Sequence, residues 1–186
     1  MGQIDASQGQ LLLGTGVSGR AAKMGHRLTI AMERWQATVT WAGQHPSAAT
    51  LRVDVDSLRV LRGEGGLTPL TAAEKPVIRS NAFGCLDPDT YPQIRFESHD
   101  IATTDDGYRL TGTVQIHGQS RPHVVDLRVA PVDQQSRSWR IECATSVRHS
   151  DFGVRRYSML MGAVRIADEV TVSFSATVTA EEIGMP

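Results

Sequence analysis

Apolar side chains recur at every second position along most of this chain. In TLRVDVDSLRV, Leu51, Val53 and Val55 fall on one face, and Arg52, Asp54 and Asp56 on the other. YRLTGTVQIHG aligns Leu110, Val114 and Ile116, and HVVDLRVAP aligns Val125, Leu127 and Val129. WRIECATSV aligns Trp139, Ile141, Cys143 and Val147, and EVTVSFSATV aligns Val170, Val172, Phe174, Ala176 and Val178. Side chains alternate across a strand, so this pattern means strands with one face buried and one in water, the mark of an antiparallel sheet. Further strands are expected at 10–15, at 28–41 (long enough to be bent or bulged) and at 94–102.

Turn chemistry separates the strands at Asp105-Asp106-Gly107, at Gly118-Gln119-Ser120-Arg121-Pro122 and between Asp133 and Ser138. About eight strands joined this way close into a barrel or fold as a sandwich, both of which limit exposed edges. The expected class is all-β, about eight antiparallel strands in a barrel or a sandwich, with one or two short helices. With no repeat or linker, residues 1–186 form one domain, its core spanning about 10–179 and its ends loose.

Two helices are expected. Residues 71–85 begin with Thr71 and carry Glu74 three positions on, the spacing of a capping box, although Pro76 blurs the start. A shorter helical turn over 18–24 is closed by Gly25.

LLLGTGVSGR contains G-x-G-x-x-G at Gly14, Gly16 and Gly19. That motif cradles a dinucleotide only inside a strand–turn–helix unit of a parallel sheet, and the alternation excludes such a sheet. The glycines are better read as letting the chain leave one strand for a short helix. Ser18 falls one residue short of a G-x-S-x-G elbow. Six histidines, at 26, 45, 99, 117, 123 and 149, show no metal-ligand spacing. The acid pairs Asp105-Asp106 and Glu181-Glu182 read as solvated charge.

The formal net charge of −1 points away from nucleic acid, and no apolar run approaches the ~20 residues of a spanning helix. No secretory leader is visible at the start, so the expected location is cytoplasmic. Cys85 and Cys143 cannot build a disulfide scaffold and read as core.

Several stretches, in order, resemble one family. In CLDPDTYPQIRFES a helix ends, Tyr-Pro turns the chain, and an Ile-x-Phe strand begins. YRLTGTVQIHGQSRPHVVDL is similar to that family's hairpin at Leu110, Thr111, Gly112, Val114, Ile116, His117, Gly118, Arg121, Pro122 and Val124. VRHSDFGV, through Ser150 to Val154, DEVTVSF and the AAKMGH start match further elements. The family is the YceI-like, polyisoprenoid-binding, lipocalin-like group, and the likeness runs from about residue 10 to 179. It implies an antiparallel barrel with a helix at one side. Its long apolar cavity would take an isoprenoid chain such as a polyprenyl phosphate, a quinone tail or a carotenoid-like lipid. It brings no catalytic machinery, and it suggests pairing into a homodimer.

A barrel of about eight strands is just wide enough inside for side chains or one elongated ligand. The expected cavity residues are Trp35, Phe83, Phe96, Phe152, Tyr157, Met159, Leu160 and Met161, the methionines adapting to an irregular chain. A head group would find cations in GRAAKMGHR, at Arg20, Lys23, His26 and Arg27, where a short helix could also offer backbone N–H groups. RRYS, from Arg155 to Ser158, is a second cationic edge. Burying ~10 methylenes at about 0.8 kcal/mol each gives roughly 8 kcal/mol, micromolar before ordering costs. The expected function is therefore non-catalytic binding of a hydrophobic, isoprenoid ligand, with no cofactor beyond that lipid, no metal and no stable membrane insertion. Two alternatives stay open. An enzyme acting on a small apolar substrate would pair His26 or His149 with a carboxylate, whereas a partner-binding or dimerising module would have a filled barrel.

Overall fold

The computed structural model describes residues 1–133 and 137–186. The chain forms strands β1 (Gly2–Asp5), β2 (Gly9–Ser18), β3 (His26–Met32), β4 (Trp35–Ala42), β5 (His45–Asp54) and β6 (Leu58–Gly65). Helix α1 (Glu74–Leu86) follows. The second half holds β7 (Gln93–Thr104), β8 (Gly107–Ile116), β9 (Gln119–Asp133), β10 (Ser138–Arg148), β11 (Ser158–Met159) and β12 (Val164–Thr179). The turn expected between Asp133 and Ser138 falls partly outside the described residues.

All pairings are antiparallel, and the strands order as β1-β4-β5-β7-β8-β9-β10-β12-β2-β3-β6, with β11 added on β12. The sheet curls into a lipocalin-like barrel whose seam lies between the two end strands, β1 and β6. The all-β class is as the alternation indicated, but the strand count is twelve, not about eight. Two apolar runs that read as single strands are each broken. The run at 28–41 divides at Glu33 and Arg34, and the run at 50–60 divides at a 3-10 turn, Val55–Ser57. The two breaks hold each other: Glu33 N–H donates to Ser57 O, Asp54 N–H to Arg34 O, and Arg34 pairs with both Asp54 and Asp56. At each corner the inward phase slips by one residue, from Leu28, Ile30 and Met32 to Trp35, Ala37 and Val39, and from Leu51, Val53 and Val55 to Leu58 and Val60.

The N-terminal residues, outside the core expected from sequence, form β1 against β4 and bury Ile4. Edge strand β6 is covered by α1. Lys75 Nζ donates to Leu61 O at 2.6 Å, and Arg79 donates to Leu58 O and Asp56 O at 2.8 and 2.6 Å. Such cover satisfies carbonyls that an open edge would leave free. The helix starts three residues later than the capping-box spacing suggested, with Ala73 at its cap position. Half of the box forms ahead of it: Thr71 N–H and Oγ1–H both donate to Glu74 Oε2 at 2.7 Å, while Glu74 N–H donates to Thr71 O. Pro76 falls in the first turn, where its missing N–H costs no helical hydrogen bond.

Of the G-x-G-x-x-G glycines, Gly14 and Gly16 lie inside β2, and only Gly19 turns the chain. Its φ is +99°, and a Cβ there would stand 2.4 Å from Ala163 O. His117 and Gly118, with φ of +50° and +73°, make the tight β8–β9 turn, and the Tyr91 ring packs 4.2 Å from that of His117.

Candidate functional site

The inward faces of the strands do not fill the barrel. They enclose a cavity of about 790 Å³. That is within the range of sites for small organic ligands. Its wall is built from alternate residues: Leu11 and Leu13 of β2, Leu110 and Val114 of β8, Val125, Leu127 and Val129 of β9, Trp139, Ile141 and Cys143 of β10, Val170, Val172 and Phe174 of β12. This space counts against a filled barrel.

C-terminal residues lie across one end of the cavity. Trp41 Nε1–H donates to Ile183 O at 2.7 Å, and Ile183 lines the cavity there together with Met185. The C-terminal acid Glu182, expected to be solvated charge, accepts hydrogen bonds from Thr179 N–H (2.7 Å) and Oγ1–H (3.1 Å), which hold its carboxyl below the usual range. The other end is where β2 finishes and β3 and β12 begin. Phe152 sits here on a 3-10 turn, His149–Phe152, closed by Gly153 at φ +65°. It is buried against Cys85 of α1, Val114 and Val154.

The residues expected at the cavity divide into three groups. Phe96, Phe152, Tyr157 and Met159 line it. Trp35 and Phe83 belong to the core packed behind the wall. Trp35 meets Phe174 edge to face at 5.1 Å, and the Arg79 guanidinium lies 4.3 Å over the Phe83 ring. Leu160 and Met161 project outward, 56% and 105% exposed.

The cations are placed differently from the sequence expectation. His26 lines the cavity, but Arg20, Lys23 and Arg27 are exposed and outside it. Arg27 alternates with inward-facing Leu28 and so points away from the lumen. The short helical turn, Ala22–Met24, offers no anion cradle: Ala21, Ala22 and Met24 donate their N–H groups to Ala163, Gly19 and Ala21. The lining arginines are Arg148, Arg155 and Arg165, none with an ion pair among the described residues. Arg155 was legible in RRYS. The other two stand at strand ends, where an arginine reads as ordinary solvated charge.

Polar groups elsewhere in the wall are few. His123 Nε2 lies 3.0 Å from Thr145 Oγ1. His26 and His149 each bond a backbone carbonyl, Thr68 O at 2.8 Å and Asp168 O at 2.9 Å. The nearby carboxylates of Glu74 and Asp168 are held by Thr71 and Ser150 and lie below the usual range for that reason. Burial pushes the Cys143 thiol up, away from the reactive thiolate. Among the described residues, no three His, Cys, Asp or Glu side chains gather as a metal site, and no helix is long and apolar enough to cross a membrane.

A family model described as the YceI-like domain matches residues 3–178. Among solved structures, Burkholderia cenocepacia BcnA is similar over 95% of this chain and 99% of its own, at 20% identity and a TM-score of 0.69. A polyisoprenoid binding domain from Saccharophagus degradans, implicated in plant cell wall breakdown, covers 95% of each chain at 12% identity and a TM-score of 0.60. A Campylobacter jejuni YCEI protein covers 80% of this chain and 82% of its own, at 12% identity and a TM-score of 0.58. These likenesses establish a shared fold. No curated protein matches the chain significantly.

Proposed function

Since the chain belongs to the YceI-like family, we propose that it binds one elongated hydrophobic ligand, an isoprenoid lipid, without chemical turnover. The observation that carries this reading is the division of the cavity: hydrocarbon along its length, and cations confined to one end. A pure hydrocarbon would not need the arginines, and a polar metabolite would find few partners along the walls. An apolar chain with an anionic or strongly polar head matches both. Aliphatic walls contribute about 0.8 kcal/mol per buried methylene, and Arg148, Arg155 and Arg165 can donate charge-assisted hydrogen bonds to phosphate or carboxylate oxygens. The isoprenoid class draws support from the similar Saccharophagus degradans domain, whose own ligand class is polyisoprenoid.

Binding is favoured over catalysis by the histidines. His26 and His149 are tied to backbone carbonyls, so neither is arranged as a carboxylate-oriented base beside the lumen.

The test is comparison of native and denaturing mass spectra of protein purified from a heterologous host, followed by organic extraction. A released lipid mass supports the reading, and its fragmentation gives the class. If no mass is released, and added polyprenyl phosphates and quinones leave the protein's melting temperature unchanged, the proposal fails.

A further inference from the structure

The surface around the open end of the cavity carries an unusual combination of side chains. Among the described residues, six of the nine large apolar side chains left exposed lie there: Met24, Leu67, Val77, Met159, Leu160 and Met161. They come from four separate segments that meet at this end. Ala21 N–H donates to Ala163 O at 2.9 Å, joining the loop after β2 to the loop before β12. His26 pairs with Gly65 across β3 and β6, and its ring bonds Thr68 O, which brings the loop bearing Leu67 alongside. Val77 lines the cavity from α1.

The tip of this surface is held in an uncommon conformation. Leu160 and Met161 have φ of +51° and +56°, a region that bulky residues rarely enter. Neither side chain gains burial from it, since both point into solvent. A sparsely populated backbone that displays two apolar side chains is a feature expected of a contact surface.

The two segments that carry Met24 and Met159 to Met161 hold charge of one sign. Residues 16–27 and 155–165 together carry Arg20, Lys23, Arg27, Arg155, Arg156 and Arg165 and no carboxylate. Carboxylates stand on the flanking segments: Asp168 accepts from Ser150 and faces Arg156, Glu74 accepts from Thr71, Glu64 pairs with Arg62, and Asp151 and Glu169 are exposed. The near-zero net charge of the whole chain conceals this local excess.

We propose that this end of the barrel docks on the surface of an anionic lipid bilayer. Basic residues are drawn to the negative surface while Leu160 and Met161 enter the boundary between head groups and acyl chains. Such an orientation faces the cavity mouth toward the bilayer, so an apolar ligand passes between membrane and lumen with little exposure to water. The contact is peripheral: two loop side chains do not anchor a protein permanently, and the salt-dependent electrostatic part makes it reversible.

The experiment is co-sedimentation of the full chain with vesicles of phosphatidylcholine alone and of phosphatidylcholine mixed with phosphatidylglycerol, at low and high salt. Binding to the mixed vesicles that weakens with salt is expected. Charge reversal by Arg20→Glu with Lys23→Glu, or Leu160→Ser with Met161→Ser, is expected to lower partitioning by about tenfold or more. None of these four residues lines the cavity, so ligand uptake from detergent micelles persists in both variants. Conversely, a cavity-blocking Val172→Trp keeps vesicle binding and loses ligand, so the docking proposal and the ligand proposal fail separately. Absence of vesicle binding, equal binding to neutral vesicles, or undiminished binding by the Leu160/Met161 variant overturns the proposal. So does a result in which these variants change only the oligomeric state, which would assign the surface to a second copy of the chain.

Discussion

His123 Nε2 lies 3.0 Å from Thr145 Oγ1, and the pair is set into a cavity wall whose neighbouring positions, Val125, Cys143 and Val147, are apolar. It is the one side-chain hydrogen bond joining β9 and β10 across the lumen face among the described residues. A polar pair placed there offers a neutral donor and acceptor partway along a ligand otherwise held by hydrocarbon.

Burial holds His123 below its ordinary pKa of 6.5. The unfolded chain therefore binds this proton more readily than the folded one. The associated stability is fully present above pH 6.5 and declines as pH falls from there toward the lowered folded value. A ligand that excludes more water from the ring lowers it further, so affinity falls in the same direction. Urea unfolding midpoints across this range are expected to slope downward with acid, and His123→Phe to flatten the slope. An identical slope in the variant would assign it to other groups.

Val172→Trp places a large ring in the lumen from a wall position. Binding of an isoprenoid probe, read by quenching of intrinsic fluorescence or by competition, is expected to weaken by about tenfold or more, equivalent to ~1.4 kcal/mol. The circular dichroism spectrum should be retained, because the new side chain enters empty space rather than packed core. Unchanged affinity would mean that the ligand lies elsewhere.

Arg155 and Arg165 distinguish ligand heads. Replacing both by alanine is expected to weaken a polyprenyl phosphate by roughly 1.5–3 kcal/mol per lost charge-assisted hydrogen bond, while leaving the corresponding neutral alcohol nearly unaffected. Paired titrations by isothermal calorimetry read this difference. Equal losses for both ligands would remove the arginines from head-group recognition.

Trp35 tests the core behind the cavity. It is 5% exposed and meets Phe174 edge to face. Trp35→Ala is expected to cost about 3–5 kcal/mol in urea unfolding, as for other large-to-small aromatic replacements in cores. Trp35→Phe should cost far less. It keeps an aromatic edge and removes an indole N–H that has no hydrogen-bond partner among the described residues. A Phe variant as unstable as the Ala variant would contradict this account.

The inward face of the barrel was legible in the sequence because alternation is a local property. Leu110, Val114 and Ile116, Val125, Leu127 and Val129, and Val170, Val172 and Phe174 were aligned by period two alone, and all of them face the lumen. The family likeness was legible for a related reason. The turn at His117-Gly118 and the Phe152-Gly153 element each need particular residues at particular backbone angles, and those needs leave short signatures.

The place of Arg148 and Arg165 at the cavity, the partners of the strand breaks and the width of the lumen were not legible in the residues, and they share a cause. Each depends on what stands opposite a residue in space. Arg148 and Arg165 reach the cavity mouth only because their strand ends arrive beside Tyr157 and His26. The corner at Glu33 and Arg34 exists because Ser57 and Asp54 complete its hydrogen bonds from a distant stretch of the chain. Leu160 and Met161 read as cavity lining by composition, yet left-handed backbone turns them outward. By itself, then, the sequence determined antiparallel strands and which of their side chains share the inward face, since the two-residue repeat of a strand is written along the chain, and its family likeness pointed to a barrel. Only the tertiary structure decided that those faces stand far enough apart to leave a cavity, and where its charges lie, because sheet curvature and loop placement arise from contacts between distant segments.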